Sequence, residues 1–183
     1  MQKQDRTLLF DEKKIAGAID KVAKAICSDF DKSELSEIAF LGIQLKGLPI
    51  ARRIVDSIRK SSGLEIPLGK LDISMYRDDI GMRKTLPQIH ETDIPFDINN
   101  RTIVLVDDVL HTGRTIRAAL DAMTDYGRPA MIKLAVLVDR GMREFPIQAD
   151  YVGLLHHVSG KDHVSVSWKE LEGRDAVYLS QKK

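Results

Sequence analysis

Apolar positions repeat along this chain with two alternating periods. Ile15, Ile19, Val22, Ala23 and Ile26 fall at helical spacing and predict an amphipathic helix through about residue 28, after a short apolar segment at 7–10. Ile38 to Ile43 is a continuous apolar run of the kind that suits a strand buried on both faces. Gln44-Leu45-Lys46-Gly47 follows it, and then a helix opened by Pro49, with Ile50, Ile54, Val55 and Ile58 on one face and Gly63 as its stop. From Leu68 to Tyr76, Leu71, Ile73 and Met75 alternate against Asp72 and Ser74, which predicts another strand. A third strand begins at Thr102. It leads into a helix with Ile116, Ala119, Leu120 and Met123 on one side, ending near Tyr126-Gly127, before a further strand over 130–138. This β-α-β rhythm predicts a mostly parallel sheet flanked by helices, with right-handed crossovers.

Two stretches break the rhythm. Residues 77–100 are polar, dotted with proline and without periodicity, and a connection of that length reads as a lid or a disordered segment. Beyond residue 150, the runs at 151–153, 164–168 and 176–179 read as short strands with no helices between them, which predicts a small cap over the carboxyl edge of the sheet.

Composition narrows the class. At 183 residues and 43% hydrophobic content, one substantial core and a single domain over 1–183 are expected. Lys plus Arg number 28 and Asp plus Glu 27, so the formal net charge of +1 gives no overall pull toward nucleic acid or an anionic membrane. Any such binding would need a local basic patch. Cys27, the only cysteine, falls in the register of the first helix and reads as packing. The first residues lack the apolar run of a signal peptide, and no stretch approaches the ~18 apolar residues of a membrane span, so a soluble cytoplasmic protein without membrane attachment is expected.

The chemistry concentrates at 102–115. An apolar strand runs into Asp107 and Asp108, and Thr112-Gly113-Arg114-Thr115 then opens a helix. Ligands of parallel sheets gather at the carboxyl ends of the strands. There, adjacent carboxylates accept hydrogen bonds from a vicinal diol such as the 2′- and 3′-hydroxyls of a ribose. Unpaired N–H groups at a helix start favour a dianion, with Gly113 allowing close approach and the Thr112 and Thr115 hydroxyls as extra donors. Singly, an Asp pair or a Thr-Gly step is ordinary turn chemistry. In this order and spacing they read as a site for a phosphorylated sugar.

The string Val106-Asp107-Asp108-Val109-Leu110-His111-Thr112-Gly113-Arg114-Thr115 resembles the phosphoribosyl pyrophosphate (PRPP) signature of type I phosphoribosyltransferases. Together with 42–47, 72–79, Val138-Asp139-Arg140-Gly141 and 146–151, it resembles the family of bifunctional pyrimidine operon attenuators and uracil phosphoribosyltransferases, over roughly 7–180. The resemblance implies the type I phosphoribosyltransferase fold, with a hood and a flexible loop over the active site. It implies conversion of uracil and PRPP to UMP and pyrophosphate, with Mg2+ held mainly by PRPP rather than by protein ligands. By the same resemblance, Asp107, Asp108 and Arg77 are the catalytic candidates and 106–115 binds PRPP. Leu45, Lys46, Gly47 and Arg77 take the pyrophosphate, and 138–141 lines the base pocket.

The family's second activity is uridine-nucleotide-responsive binding of pyrimidine-operon leader mRNA, with UMP or UTP as effector, on a homo-oligomer, dimer or tetramer. Lys21, Lys24 and Arg143 are the candidate RNA contacts, although Asp20, Asp29, Gln44, Met142 and Gln148 leave the expected surface poorer in charge. His111 stands where purine-type relatives carry an aspartate serving the base, and a catalytic role for it is not expected. His156, His157 and His163 lack partners at metal-binding spacing and read as surface or cap residues. Two alternatives stay open: an RNA-binding attenuator with little enzyme activity, and a purine phosphoribosyltransferase, which His111 and the segments at 76–79 and 138–141 disfavour.

Overall fold

The computed structural model describes residues 6–79, 88–157 and 162–180. The chain opens with strand β1 (Arg6–Phe10) and helix α1 (Glu12–Asp29). Asp11 starts α1 by accepting the Lys14 N–H at 2.9 Å. Ile15, Ala18, Ile19, Val22, Ala23 and Ile26 form its buried face. A helix that periodicity did not reveal, α2 (Lys32–Glu37), buries only Leu35 and is held by a capping box in which Asp31 and Glu34 satisfy each other's backbone N–H groups. Strand β2 (Ala39–Ile43) is buried throughout. Helix α3 (Gly47–Ser62) stops as expected at Gly63, whose φ of 74° is one that glycine adopts without strain.

Then come β3 (Leu68–Leu71), β4 (Thr102–Leu110), α4 (Arg114–Met123), β5 (Met131–Asp139), β6 (Tyr151–Leu155), β7 (His163–Ser167), α5 (Lys169–Glu172) and β8 (Ala176–Ser180). The main sheet has the order β3-β2-β4-β5-β6, and all of its pairs are parallel. Strand β4 lies at its centre, with Val106 opposite Gly42 on one side and Ala135 on the other. One face carries α1 and α3; α4 packs on the other with Ile73, Phe96 and Ile98. Every crossover thereby lays a helix or an ordered segment on the sheet, and the loops that follow β2, β4 and β5 meet at one edge.

Three expectations need correction. The strand expected over 68–76 ends at Leu71, although the alternation continues. The Asp72 carboxylate accepts both the backbone N–H and the hydroxyl of Ser74, at 3.0 and 2.6 Å, and turns the chain into a single 3-10 turn at Ser74–Tyr76. Second, the run at 151–153 is not part of the cap but the edge strand of the main sheet, paired with β5. The cap is an antiparallel sheet β1-β8-β7, so the N-terminal strand contributes to it, and the short helix α5 interrupts the tail. Third, the stretch 88–100 is anchored. His90 N–H donates to Asp72 at 2.7 Å, Asp72 N–H donates to the Thr92 hydroxyl at 3.0 Å, and Lys70 and Asp93 form an antiparallel bridge. Residues 80–87, including Arg83 and Lys84, lie outside the described residues. Among the described residues, no helix is long and apolar enough to cross a membrane.

Arg53 ties the cap to the main layer. From α3 it meets Asp175 at 2.6 Å and Glu170 at 2.9 Å, and its guanidinium lies 4.6 Å over the ring of the fully buried Trp168. The Asp175 side chain is only 8% exposed. Replacing Arg53 by Met leaves that carboxylate without its cation, and we expect urea denaturation to show a loss of roughly 2–3 kcal/mol. A variant as stable as the parent would show that the cap is held by apolar contacts alone.

Candidate active site

Asp107 and Asp108 follow four residues of β4, Ile103 to Val106, that are wholly shielded from solvent. Asp107 is itself only 5% exposed. One oxygen of each carboxylate accepts the next backbone N–H, Asp108 N at 2.9 Å for Asp107 and Val109 N at 2.8 Å for Asp108. Burial, with the Asp108 charge alongside, pushes the Asp107 carboxyl well above the usual range; the Arg77 guanidinium opposes this. Burial raises Asp108 as well, against the pull of Lys46. Both carboxylates therefore ionise less readily than exposed ones.

They face a cavity of about 420 Å³ that the loop after β2, Asp72, Arg77 and Thr115 also line. That loop reaches them because Gly47 has no side chain: a Cβ there would sit 2.2 Å from the Val106 carbonyl oxygen. The Gln44–Leu45 peptide of the same loop is cis. Leu45 and Lys46 line the cavity, whereas Gly47 packs on β4. The Lys46 ammonium is turned to the cap, where it pairs with Glu172 at 3.2 Å and donates to the Val166 carbonyl. Arg77 also borders the cavity, its fork closed on Asp79 by two bonds of 2.9 Å.

The loop from β4 to α4 turns at Gly113, whose φ of 92° needs glycine. The Thr112 carbonyl accepts Glu144 and Phe145 N–H groups, each at 2.9 Å, and the Gly113 carbonyl accepts Arg117 N–H at 2.9 Å. The first N–H groups of α4 have no earlier helical turn to donate to; Arg114 N–H meets the Thr112 hydroxyl, at 3.4 Å, and Thr115 stands at the cavity wall, so this is the positive end of the helix dipole. The Arg114 side chain is directed elsewhere, to Asp78 at 2.6 Å and Glu144 at 2.5 Å. Its contribution to the loop is therefore its backbone. Val106 and Leu110 are core residues, while Val109 touches the cavity. Burial, helped by Arg140, lowers the His111 imidazole below its ordinary value and keeps it neutral near pH 7.

The segment expected to meet the base lies beside this cavity rather than in it. Val138 is buried in the core. Asp139 and Gly141 line a second cavity of about 530 Å³ with Arg143, Ile147, Gln148 and His157. Arg140 is 5% exposed, and its Nε is buried without a hydrogen-bond partner among the described residues. Of the residues expected to face RNA, Lys24 is exposed and Lys21 donates to the Val152 and Gly153 carbonyls at 3.1 and 3.4 Å. Arg143 is directed inward, onto the Asp139 carboxylate and the carbonyls of neighbouring loops. Sequence reading had not singled out Asp72, His90 or Glu172 as site residues. An Asp two positions before Ser is the local sign of an Asx turn and points to Asp72. No local signal pairs Lys46 with Glu172.

Comparison with known proteins agrees with this geometry. A family profile described as "Phosphoribosyl transferase domain" matches residues 6–170. The chain is 47% identical over 172 residues to a "Bifunctional protein PyrR" of Roseiflexus sp. (strain RS-1), covering 93% of each chain. It is 44% identical over 177 residues to the protein of the same name from Clostridioides difficile (strain 630), covering 97% of this chain and 99% of the relative. Among solved structures, the hypoxanthine phosphoribosyltransferase of Trypanosoma cruzi superposes with a TM-score of 0.72 at 20% identity, over 96% of this chain and 97% of that one. A hypoxanthine-guanine phosphoribosyltransferase from Bacillus anthracis gives 0.69 at 16% identity, over 95% and 97%. At such identities these two structures speak for the fold alone. The chain belongs to the phosphoribosyl transferase domain family.

Proposed function

We propose that this protein transfers the ribose 5-phosphate group of PRPP to uracil, giving UMP and pyrophosphate, and that it also regulates pyrimidine operon transcription by binding leader mRNA in response to UMP or UTP. The observation that carries the enzymatic reading is the Asp107–Asp108 pair, Asp107 buried and Asp108 half-buried, set in one cavity with Thr115 and Arg77. The relatives at 44–47% identity called Bifunctional protein PyrR favour a pyrimidine rather than a purine substrate, since the purine enzymes match at only 16–20%.

In this reading the α4 N-terminus and the Thr112 and Thr115 hydroxyls hold the 5′-phosphate, and Asp107 and Asp108 accept from the ribose hydroxyls. As the bond from C1 to pyrophosphate breaks, positive charge grows on the sugar beside two carboxylates that burial has kept short of solvent. That fixed arrangement favours the oxocarbenium-like state. Arg77 faces the departing pyrophosphate, and Lys46 reaches it by exchanging Glu172 for phosphate oxygens. Asp139 and Gly141, at the neighbouring cavity, orient the base, with the buried Arg140 between them in the chain. N1 of uracil then bonds to C1 and gives up its proton to the departing pyrophosphate.

The residues fit a Mg2+ ion carried by PRPP. Asp107 and Asp108 border the cavity and offer carboxylates that such an ion would meet directly or through water, with the phosphate oxygens of PRPP as its other ligands. Such an ion neutralises charge on the leaving pyrophosphate. The regulatory reading draws on Lys21 and Lys24, with Lys13 and Lys14 beside a groove at α1 and β6. A cytoplasmic homo-oligomer, dimer or tetramer, belongs to the same reading.

With PRPP and Mg2+, we expect pyrophosphate release with uracil but not with hypoxanthine, guanine, adenine or orotate. Turnover with a purine, or with no base, contradicts the enzymatic reading. A gel shift on pyrimidine leader RNA is expected to strengthen with UMP, weaken with salt and weaken in Lys21→Ala/Lys24→Ala. Binding without sequence preference removes the regulatory reading.

Asp107→Asn tests the carboxylate pair by opposing effects. A folded-state pKa raised above the ordinary 3.8 means that the folded chain binds more protons than the unfolded one. Stability therefore falls as pH rises from the ordinary value through the raised one. Asn keeps an oxygen for Asp108 N–H and removes that penalty. We expect the melting temperature at pH 7 to rise by about 2–4 °C for each kcal/mol gained, while turnover falls by about 10²-fold. In the parent, turnover should fall on acidification at a pH above that of an ordinary aspartate. A variant that melts lower yet turns over normally contradicts both roles.

A further inference from the structure

We propose that Arg143 is a positioning residue that fixes the phosphate-binding loop against the segment following β5, an inference that rests on the 5′-phosphate reading above. Its guanidinium is engaged on every nitrogen. Nε donates to the Ile147 carbonyl at 2.9 Å and Nη2 to Asp139 Oδ2 at 2.6 Å. Nη1 faces the His111 carbonyl at 2.9 Å, the Gly141 carbonyl at 3.3 Å and the Leu110 carbonyl at 3.4 Å. One rigid planar group thus joins the end of β4, the end of β5 and residue 147. An ammonium on a flexible stem cannot span the same set.

The backbone completes the strap. Arg140 N–H donates to the Leu110 carbonyl at 3.1 Å, and Glu144 and Phe145 N–H groups donate to Thr112. A Cβ at Gly113 would lie 3.1 Å from Phe145 Cβ, so the turn that opens α4 rests directly on this segment. The N–H groups meant for the phosphate begin one residue later. Their aim depends on where Leu110, His111 and Thr112 are held, and displacements near 1 Å in such a site cost up to about 10²-fold. Because Asp139 and Arg143 also line the second cavity, the same guanidinium couples the proposed base side to the phosphate side.

The test compares UMP with uridine, which lacks the phosphate, by calorimetry on the wild-type chain, Arg143→Lys and Arg143→Ala, together with the KM for PRPP and kcat. We expect UMP binding to weaken and the KM for PRPP to rise by about tenfold in Arg143→Ala, with a clearly smaller loss for uridine, which meets only the base side that Asp139 borders. Arg143→Lys, which keeps the charge, is expected to recover only part of the loss and serves alone if the alanine variant does not fold. Wild-type UMP affinity in Arg143→Lys overturns the proposal, as does an equal loss for UMP and uridine. So does loss confined to leader RNA, which would make Arg143 a surface contact. If the wild-type chain itself does not bind UMP, the phosphate reading falls with it.

Discussion

The site depends on burying ionisable groups at the end of a strand that has no solvent to offer them. Strand β4 runs between β2 and β5 with Ile103 to Val106 fully shielded, and Asp107 inherits that environment. Two adjacent carboxylates there repel each other and lose hydration. The backbone N–H groups of Asp108 and Val109 and the charges of Arg77 and Lys46 offset this in part. In the proposed reaction these carboxylates would meet the positive charge that grows on the sugar. That is stabilisation fixed in advance by the fold.

Around this pair, the neighbouring loops are fixed by groups distant in sequence. The cap grips the loop after β2 through Lys46 and Glu172, and it grips α3 through Arg53, Glu170 and Asp175. The segment after β5 grips the loop between β4 and α4 through Arg143 and the backbone at 144–145. Asp72 gathers Ser74 and His90 onto one carboxylate and so sets both arms of the 72–92 connection beside the cavity. These networks are only partly buried, and they specify geometry more than they add stability.

How much of this was legible follows from which interactions are local. The cores of α1, α3, β2, β4 and β5 were readable because each has a clear period or an unbroken apolar run. The end of β3 was not, since Ile73 and Met75 continue the alternation while the Asp72 side chain captures Ser74 and ends the strand. Helix α2 is too short for a period to show, and the run at 151–153 announces a strand without saying which sheet it joins. At the site, Asp107, Asp108 and Gly113 were legible because strand, carboxylates and turn are contiguous. The directions of Lys46, Arg114 and Arg143 were not. Partners at Glu172, at Asp78 and Glu144, and at Asp139 and His111 decide them.

In the proposed reaction the β4–α4 connection holds a nucleoside 5′-phosphate by its sugar and phosphate together. A crystal structure with UMP and magnesium pyrophosphate tests it most directly. We expect phosphate oxygens on the N–H groups and hydroxyls of 112–115, both ribose hydroxyls on Asp107 and Asp108, and the uracil ring toward 139–141. UMP bound away from β4, or with its phosphate on Lys46 and Arg77 and its ribose clear of both carboxylates, would contradict it.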